Sequence, residues 1–473
     1  MVEYRTGHIS VKACDVWTPG IPENIWVPDM HAEAQRLIRK MKQAGQIFTV
    51  GQVVDAMGLT MSRVLRRPQL EQPPIPPVTL PAGGVHILRA QRNGGETSLS
   101  QVSISEFGCN RDDDAQTVMT NGGDANGHKV LMYKSASDMR DVGIGTAIPP
   151  QSTRFATDSG ITRNEALAHD VANPSDKWSL TTNGSSPATP WFGFAGIYGG
   201  HVGKVSFQNQ WAARTLEQLA AQPMWGGVFV DNITVFRPLS SGWPFELPSE
   251  AAWTAAMLAF VASALKQVRD AGYVVVCNAN NFIGGDPQSD TGERMLNWWD
   301  DVAGTDGVDG LFVEAGIQNA NNRTLVRLEG TAGNVTHYWQ NWVQLIPTAQ
   351  AHGCWGMQNC RSPSDGSIPP ESSQMRYCRA GALLHWNGIG VCFANDSGMD
   401  SFNPVQGVNV RDLAEPVGAA GGIADNGCYK REYRSSIGAE MWVAINPSGS
   451  SKQITVGDTL RTIPSADAYL GGP

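Results

Sequence analysis

Residues 226–232 read Gly226-Gly227-Val228-Phe229-Val230-Asp231-Asn232. Two glycines lead into a short run of apolar, strand-favouring residues, which reads as a fully buried strand, and the run ends in a carboxylate. In a (β/α)8 barrel the parallel strands form a packed core, and the C-terminal end of each projects its last side chains into the active-site mouth. Asp231 is therefore the first candidate for chemistry. Its plainer alternative is a strand-terminal turn or a helix-capping residue.

A second copy of the pattern favours the barrel. Asp309-Gly310-Leu311-Phe312-Val313-Glu314 repeats it, with glycine, three apolar residues and an acid, and between the two copies Tyr273-Val274-Val275-Val276-Cys277-Asn278 is a third buried strand ending in an amide. Asn278 follows Asp231 by 47 residues and Glu314 follows Asn278 by 36. One strand, helix and pair of loops takes roughly 30 or more residues, so these are consecutive βα units. Acids on alternate strands meet across a barrel mouth. Glycoside hydrolysis needs such a pair, one carboxyl as proton donor and one as nucleophile or base.

Working outward, Val102–Phe107 reads as strand one and Lys129–Lys134 as strand two, which sets Tyr133 and Lys134 near the mouth. Gly203-Lys204-Val205-Ser206-Phe207 reads as strand three and leads into a helix over 211–221. After strand four and Asp231, a helix capped by Ser249-Glu250 runs to 271. Strands five and six end at Asn278 and Glu314, Cys354–Gln358 is strand seven, and Ile389–Phe393 is strand eight with Asn395 and Asp396 at its end. The count closes at eight. Residues 141–200, rich in Gly, Ser, Thr, Pro and aromatics including Trp178, Trp191 and Tyr198, form a long excursion of the kind that carries function. The expected substrate-binding set is Tyr133, Lys134, Trp191, Asn232, Asn278, Gln358, Asn395 and Asp396. The acids Asp112, Asp113 and Asp114 suit a helix N-terminus.

The ends of the chain read differently. Residues 1–30 are irregular, 31–45 form an amphipathic helix, and 48–64 resemble a small helix-turn-helix with Arg63, Arg66 and Arg67 beside it. A two-helix hairpin with a glycine turn is a common structural device and displays no base-reading face here, so a docking element is expected. The division is then a helical docking region at 1–67, a stiff proline-rich linker at 68–84, the barrel at 85–424, and short antiparallel strands at 425–473.

Composition narrows the function. The net charge of -9 argues against a nucleic-acid-binding surface for the chain as a whole, and 41% hydrophobic content supplies a large core. No run of about 18 apolar residues signals membrane insertion, and no secretory signal is read at the start. The 8 cysteines lack CxxC spacing, so free buried thiols are expected, with neither a metal nor a cofactor.

These motifs carry a family resemblance. The stretches GGVFVDN, VVVCNAN and DGLFVE, with Asp176-Lys177-Trp178-Ser179-Leu180, Asn183-Gly184, Tyr429-Lys430-Arg431 and Ala444-Ile445-Asn446-Pro447-Ser448, resemble hypothetical glycoside hydrolase barrels related to endo-α-1,4-polygalactosaminidases. The resemblance implies Asp231 as nucleophile and Glu314 as proton donor. Barrels of this type are also similar to domains on minor tail proteins of actinobacterial phages. That implies a polysaccharide substrate or receptor, other tail proteins as partners, and a place on the virion tail or outside the cell. The competing reading is a receptor-binding barrel that holds a glycan without cutting it.

Overall fold

The computed structural model describes residues 3–6, 9–12, 86–91, 104–107, 112–123, 127–140, 158–235, 237–280, 293–313, 343–360, 373–388, 391–396 and 413–473. The chain divides into two compact units, Met1–Pro77 and Val78–Pro473, and the break falls inside the proline-rich segment. In the first unit, β1 (Glu3–Thr6) and β2 (Ile9–Lys12) form an antiparallel hairpin where the sequence reads as irregular. The expected helix over 31–45 and the helix-turn-helix over 48–64 lie outside the described residues.

The second unit is built on a closed barrel of eight parallel strands. In chain order these are β3 (His86–Gln91), β4 (Ile104–Phe107), β5 (Lys129–Ser135), β8 (Gly227–Asp231), β9 (Val274–Asn278), β10 (Gly310–Val313), β11 (Trp355–Cys360) and β12 (Val391–Asp396). β12 closes on β3, with Asn395 opposite Arg89 and Asp396 opposite Ala90. Between β5 and β8 the chain makes the excursion holding β6 (Asp138–Arg140), which pairs with β7 (Ile197–Gly199).

Two assignments are corrected, and they compensate in the count. His86–Gln91 is the first barrel strand, directly after the prolines, where the sequence reading began one strand later. The segment expected as strand three lies instead at the start of a helix, Val205–Ala221. Val205 and Phe207 alternate like strand residues, but the buried residues include Phe207, Trp211, Thr215 and Leu219, which recur every fourth position. Five residues cannot separate the two periods; seventeen can.

Alternation along each strand sorts the core into two layers. Leu88, Ile104, Leu131, Tyr133, Phe229, Val276, Phe312 and Met357 fill the barrel interior, with Phe229 edge-on to Phe312 at 5.2 Å. The intervening residues, among them Val130, Met132, Val228, Val230, Cys277 and Leu311, belong to the surrounding core with Trp211, Phe260, Trp298 and Trp299. Among the described residues the helices begin with α1 (Asp112–Val118), which the three aspartates open as expected. After it come α2 (Arg163–Ala172), α3 (Val205–Ala221) and α4, which starts at Glu250 and passes through a π turn to Asp270. Ser249 caps α4 by accepting the Ala252 N–H at 3.2 Å. At 21 residues α4 is long and apolar enough to cross a membrane. Here it is a barrel helix, with Trp253, Met257, Phe260 and Leu265 buried. Cys277, Cys354 and Cys428 are free and buried, and Cys378 is buried.

The C-terminal strands form an antiparallel sheet, β13 (Leu413–Val417), β15 (Cys428–Ser435), β16 (Glu440–Asn446) and β19 (Asp467–Gly471) in that order, with β14 (Ile423–Asp425) on β15. β17 (Lys452–Val456) and β18 (Thr459–Ile463) make a hairpin. The sheet begins at Leu413, earlier than the expected boundary at 425. It is fastened to the helix Ser373–His385 by polar contacts. Buried Arg431 donates to the carbonyls of Leu384 and Trp386 at the end of that helix, Tyr433 donates to the Leu383 carbonyl, and Arg376 pairs with both oxygens of Asp467. A cation suits that end of a helix, where carbonyls lack partners.

His385 sits at this joint, and burial with the Arg431 charge beside it pushes its imidazole down to about 3. The unfolded chain takes up the proton near 6.5. Between those values the unfolded state binds more protons, so stability falls as pH falls, by at most about 1.4 kcal/mol per pH unit from this residue. His385→Gln is expected to flatten that limb of the curve, read as urea midpoints from about pH 4 to about pH 7.

Candidate active site

Three strands bring the central constellation together. Tyr133 near the end of β5, Asp231 at the end of β8 and Asn278 at the end of β9 all fall on the interior phase of their strands, two residues beyond Leu131, Phe229 and Val276. Register puts Ser135 opposite Asp231 and Tyr133 opposite Phe229. Asp231 is half-buried, and its carboxylate is held from both sides. Tyr133 donates its hydroxyl to Oδ2. The Asn278 side-chain amide and the Asn232 backbone N–H each donate to Oδ1 at 2.8 Å. Donors on both oxygens are what an ionised, acceptor-only carboxylate takes.

A further ring of contacts holds these donors. Asn280 donates to Asn278 Oδ1 at 2.8 Å, so the Asn278 amide is turned with its nitrogen toward Asp231. Asn278 and Asn280 are 2% and 7% exposed, which leaves them little freedom to turn away. Asn232 adopts the left-handed backbone conformation at φ 63°, tolerated better by Asn than by most residues. Its side chain donates to Ser135 Oγ at 3.2 Å and ties the end of β8 to the end of β5. Asn232 therefore positions the acid through its backbone N–H.

Other expected site residues separate. Lys134 shares the helix-facing phase of Val130 and Met132 and is 3% exposed. Gln358, also 3% exposed, follows the interior-facing Met357 and so takes the outward phase of β11. A residue next to an interior one on a strand points the other way, and proximity to the mouth in sequence does not reveal which. Trp191 is wholly buried, packs edge-on against Trp253 at 5.6 Å and donates its indole N–H to Ser137 Oγ at 3.0 Å. It is a core residue of the excursion and offers no face to a sugar. Asn395 and Asp396 lie in β12 by their backbone; their side chains, and Glu314, lie outside the described residues.

One acid was passed over. Glu106 ends Ile104-Ser105-Glu106 in β4, shares the interior phase of Ile104, pairs in register with Leu131, and is 2% exposed. Its signal was the same as that of Asp231, an acid near the end of a short barrel strand. The motif Asp176–Leu180, in contrast, is a clamp. Asp170 accepts the backbone N–H groups of Trp178 and Ser179 at 2.6 and 3.2 Å, His169 stacks on Trp178 at 3.7 Å, and the Trp178 indole donates to Ser206, which donates to Asp176. Among the described residues, no three His, Cys, Asp or Glu side chains assemble as a metal set.

Removing the donors one at a time should separate orientation from charge. Tyr133→Phe and Asn278→Ala are each expected to lower kcat by roughly ten- to a hundredfold with little change in KM, because each loosens Asp231 without removing it. A kcat unchanged from the parent in both variants would dismiss the constellation as a positioning device.

Residues 127–436 match the sequence family described as Hypothetical glycosyl hydrolase family 15, which is more than half of the 473 residues. The chain belongs to this family. Hypothetical glycosyl hydrolase family 15 thus spans six of the eight barrel strands, β5 and β8 to β12, together with Asp231 and its three donors. Among solved structures, the chain is similar to the glycoside hydrolase domain of PelA from Pseudomonas aeruginosa, at 13% identity over 70% of this chain and 98% of that one, TM-score 0.36. It is also similar to Eubacterium rectale Amy13B, at 8% identity over 83% and 96%, TM-score 0.44, and to an alpha-galactosidase from Lactobacillus brevis, at 9% over 82% and 54%, TM-score 0.41. Likeness this loose carries no argument about substrate or mechanism. No curated protein sequence matches the chain.

Proposed function

We propose that this barrel hydrolyses O-glycosidic bonds of a cell-envelope or extracellular polysaccharide, with Asp231 as the nucleophile and Glu314 as the proton donor. The observation that carries the reading is the Asp231 carboxylate, fixed by Tyr133, Asn278 and the Asn232 backbone at the C-terminal end of a barrel strand, where such barrels do their chemistry. A carboxylate so held keeps a lone pair aimed along one direction without reorganising during reaction. Glu314, next in sequence after the end of β10, would protonate the leaving oxygen as the bond to the anomeric carbon breaks. Asp231 would attack that carbon, and water would then release the sugar with Glu314 acting as base.

Location and partners belong to the same proposal. A separate N-terminal unit ending in the proline-rich segment suits an enzyme carried on a larger particle such as a virion tail, where the small unit meets other tail proteins and the barrel meets the polysaccharide. Incubation with a panel of bacterial envelope polysaccharides tests the activity by the appearance of new reducing ends. Release from at least one polymer is expected. Retention of a polymer in a pull-down with no release would replace the hydrolase by a receptor-binding barrel.

A further inference from the structure

We propose that Phe194 and Phe245 form an aromatic subsite on the rim of the barrel, where pyranose units of the polymer stack apart from the Asp231 constellation. Phe194 lies in the excursion that follows β5 and Phe245 in the loop that follows β8, and both segments stand on the C-terminal face of the barrel, the face that carries Tyr133 and Asp231. Among the described residues these are the exposed aromatic rings, at 63% and 61%. Single exposed aliphatic side chains need no explanation. Two large rings left in water on the catalytic face do.

The two segments are tied to each other. The Ala136 N–H donates to the Asp231 carbonyl at 3.1 Å, the Phe192 N–H to the Pro238 carbonyl at 2.7 Å and the Phe245 N–H to the Thr181 carbonyl at 2.8 Å. Glu246, next to Phe245, accepts the Thr181 backbone N–H at 2.8 Å and its hydroxyl at 2.5 Å. Trp191 packs on Trp253, and the turn that buries Trp191 closes through the Phe194 N–H, which donates to the Trp191 carbonyl at 3.0 Å. Phe194 is therefore fixed at its backbone while its ring stays outside. A ring with two torsions on an already ordered backbone loses little freedom when it takes a ligand.

The space around the rings suits a flat partner. Gly193 and Gly196 flank Phe194, and a Cβ added to either would meet nothing within 4 Å. Gly184 stands against the Phe245 ring, where an added Cβ would lie 3.4 Å from a ring carbon, while 61% of Phe245 stays exposed. A pyranose presents a face of C–H groups about as wide as a phenyl ring, and that face is drawn to the electron-rich face of an aromatic. The occupant is a saccharide because the chain belongs to a glycosyl hydrolase family and the rings share the face of the barrel that carries its site. A polymer held there is presented to the mouth, so the rings act on substrate affinity and leave bond breaking to the mouth. The inference rests on the hydrolase reading for the class of ligand alone, since binding is measured without turnover.

The test is affinity electrophoresis of the full chain carrying Asp231→Asn, which blocks cleavage, in native gels that each contain one soluble polysaccharide of the bacterial envelope panel. Retardation by at least one polymer is expected, with a dissociation constant raised roughly three- to tenfold in Phe194→Ala and in Phe245→Ala, the scale of one aromatic stacking contact. Phe194→Tyr and Phe245→Tyr keep the flat face and should bind as the parent does. Leu460→Ala, at a 64% exposed apolar side chain of β18, should also leave retardation unchanged. No retardation by any polymer, unchanged retardation in both alanine variants, or an equal loss in Leu460→Ala would overturn the subsite. Release of reducing ends by the chain with Asp231 intact reads the hydrolase proposal separately. Retardation without release keeps the rings and removes the hydrolase, and release with KM unchanged in both alanine variants does the reverse.

Discussion

Asp231→Asn is expected to abolish turnover, lowering release of reducing ends by about a thousandfold or more, equivalent to about 4 kcal/mol of lost transition-state stabilisation. The substitution keeps the shape and removes the charge. Asn232 N–H and the Asn278 amide can still donate to the remaining oxygen, and the new amide nitrogen can face Tyr133, whose hydroxyl accepts as readily as it donates. The fold should therefore survive, and a melting temperature within a few degrees of the parent would show that the loss is chemical. Glu314→Gln should lose roughly 10²–10⁴-fold on natural linkages. It should lose far less on an aryl glycoside, whose leaving group needs no proton. Retained activity in Asp231→Asn would remove it as nucleophile, and a uniform loss on both substrate types would remove Glu314 as acid.

Gly227→Ala is expected to cost stability on a comparable scale, about 3 kcal/mol or more. A Cβ at Gly227 would stand 2.1 Å from the Val274 carbonyl oxygen and 2.7 Å from its nitrogen. Both are backbone atoms of β9, and a backbone inside a closed barrel cannot step aside as a side-chain tip can. Relief would require β8 and β9 to separate, which pulls Asp231 away from Asn278, so activity should fall along with the urea midpoint. Gly226→Ala is the control. Its Cβ would meet the Lys129 Cδ at 3.3 Å, the middle of a flexible chain, and the midpoint should barely move. A stable, active Gly227→Ala protein would mean that close strand approach is not what this glycine provides.

The central strands were legible for a specific reason. Strands buried on both faces read as unbroken apolar runs, and β8, β9 and β10 each show one with a polar group at or just beyond its end. Their spacing then imposes intervening helices. His86–Gln91 was harder because prolines precede it, and Val205–Phe207 was misleading because a helix start and a short strand share an apolar-polar-apolar pattern. The places of Asp231 and Asn278 at their strand ends were legible for the same reason as the strands. Glu106 carried the same signal in a shorter run and went unread.

What remained depends on direction, which a sequence position lacks. Tyr133 and Lys134 are neighbours in the chain, yet one reaches the Asp231 carboxylate and the other takes the helix-facing phase. Trp191 lies in the aromatic excursion and is nonetheless wholly buried. The sequence by itself determined the barrel, its order of strands from β8 onward and the acid at the end of β8, because burial on both faces demands continuous apolar runs. Only the tertiary structure decided which side chains hold that acid, because those contacts join residues as far apart as the 98 positions between Tyr133 and Asp231, and strand phase alone settles which face each one takes.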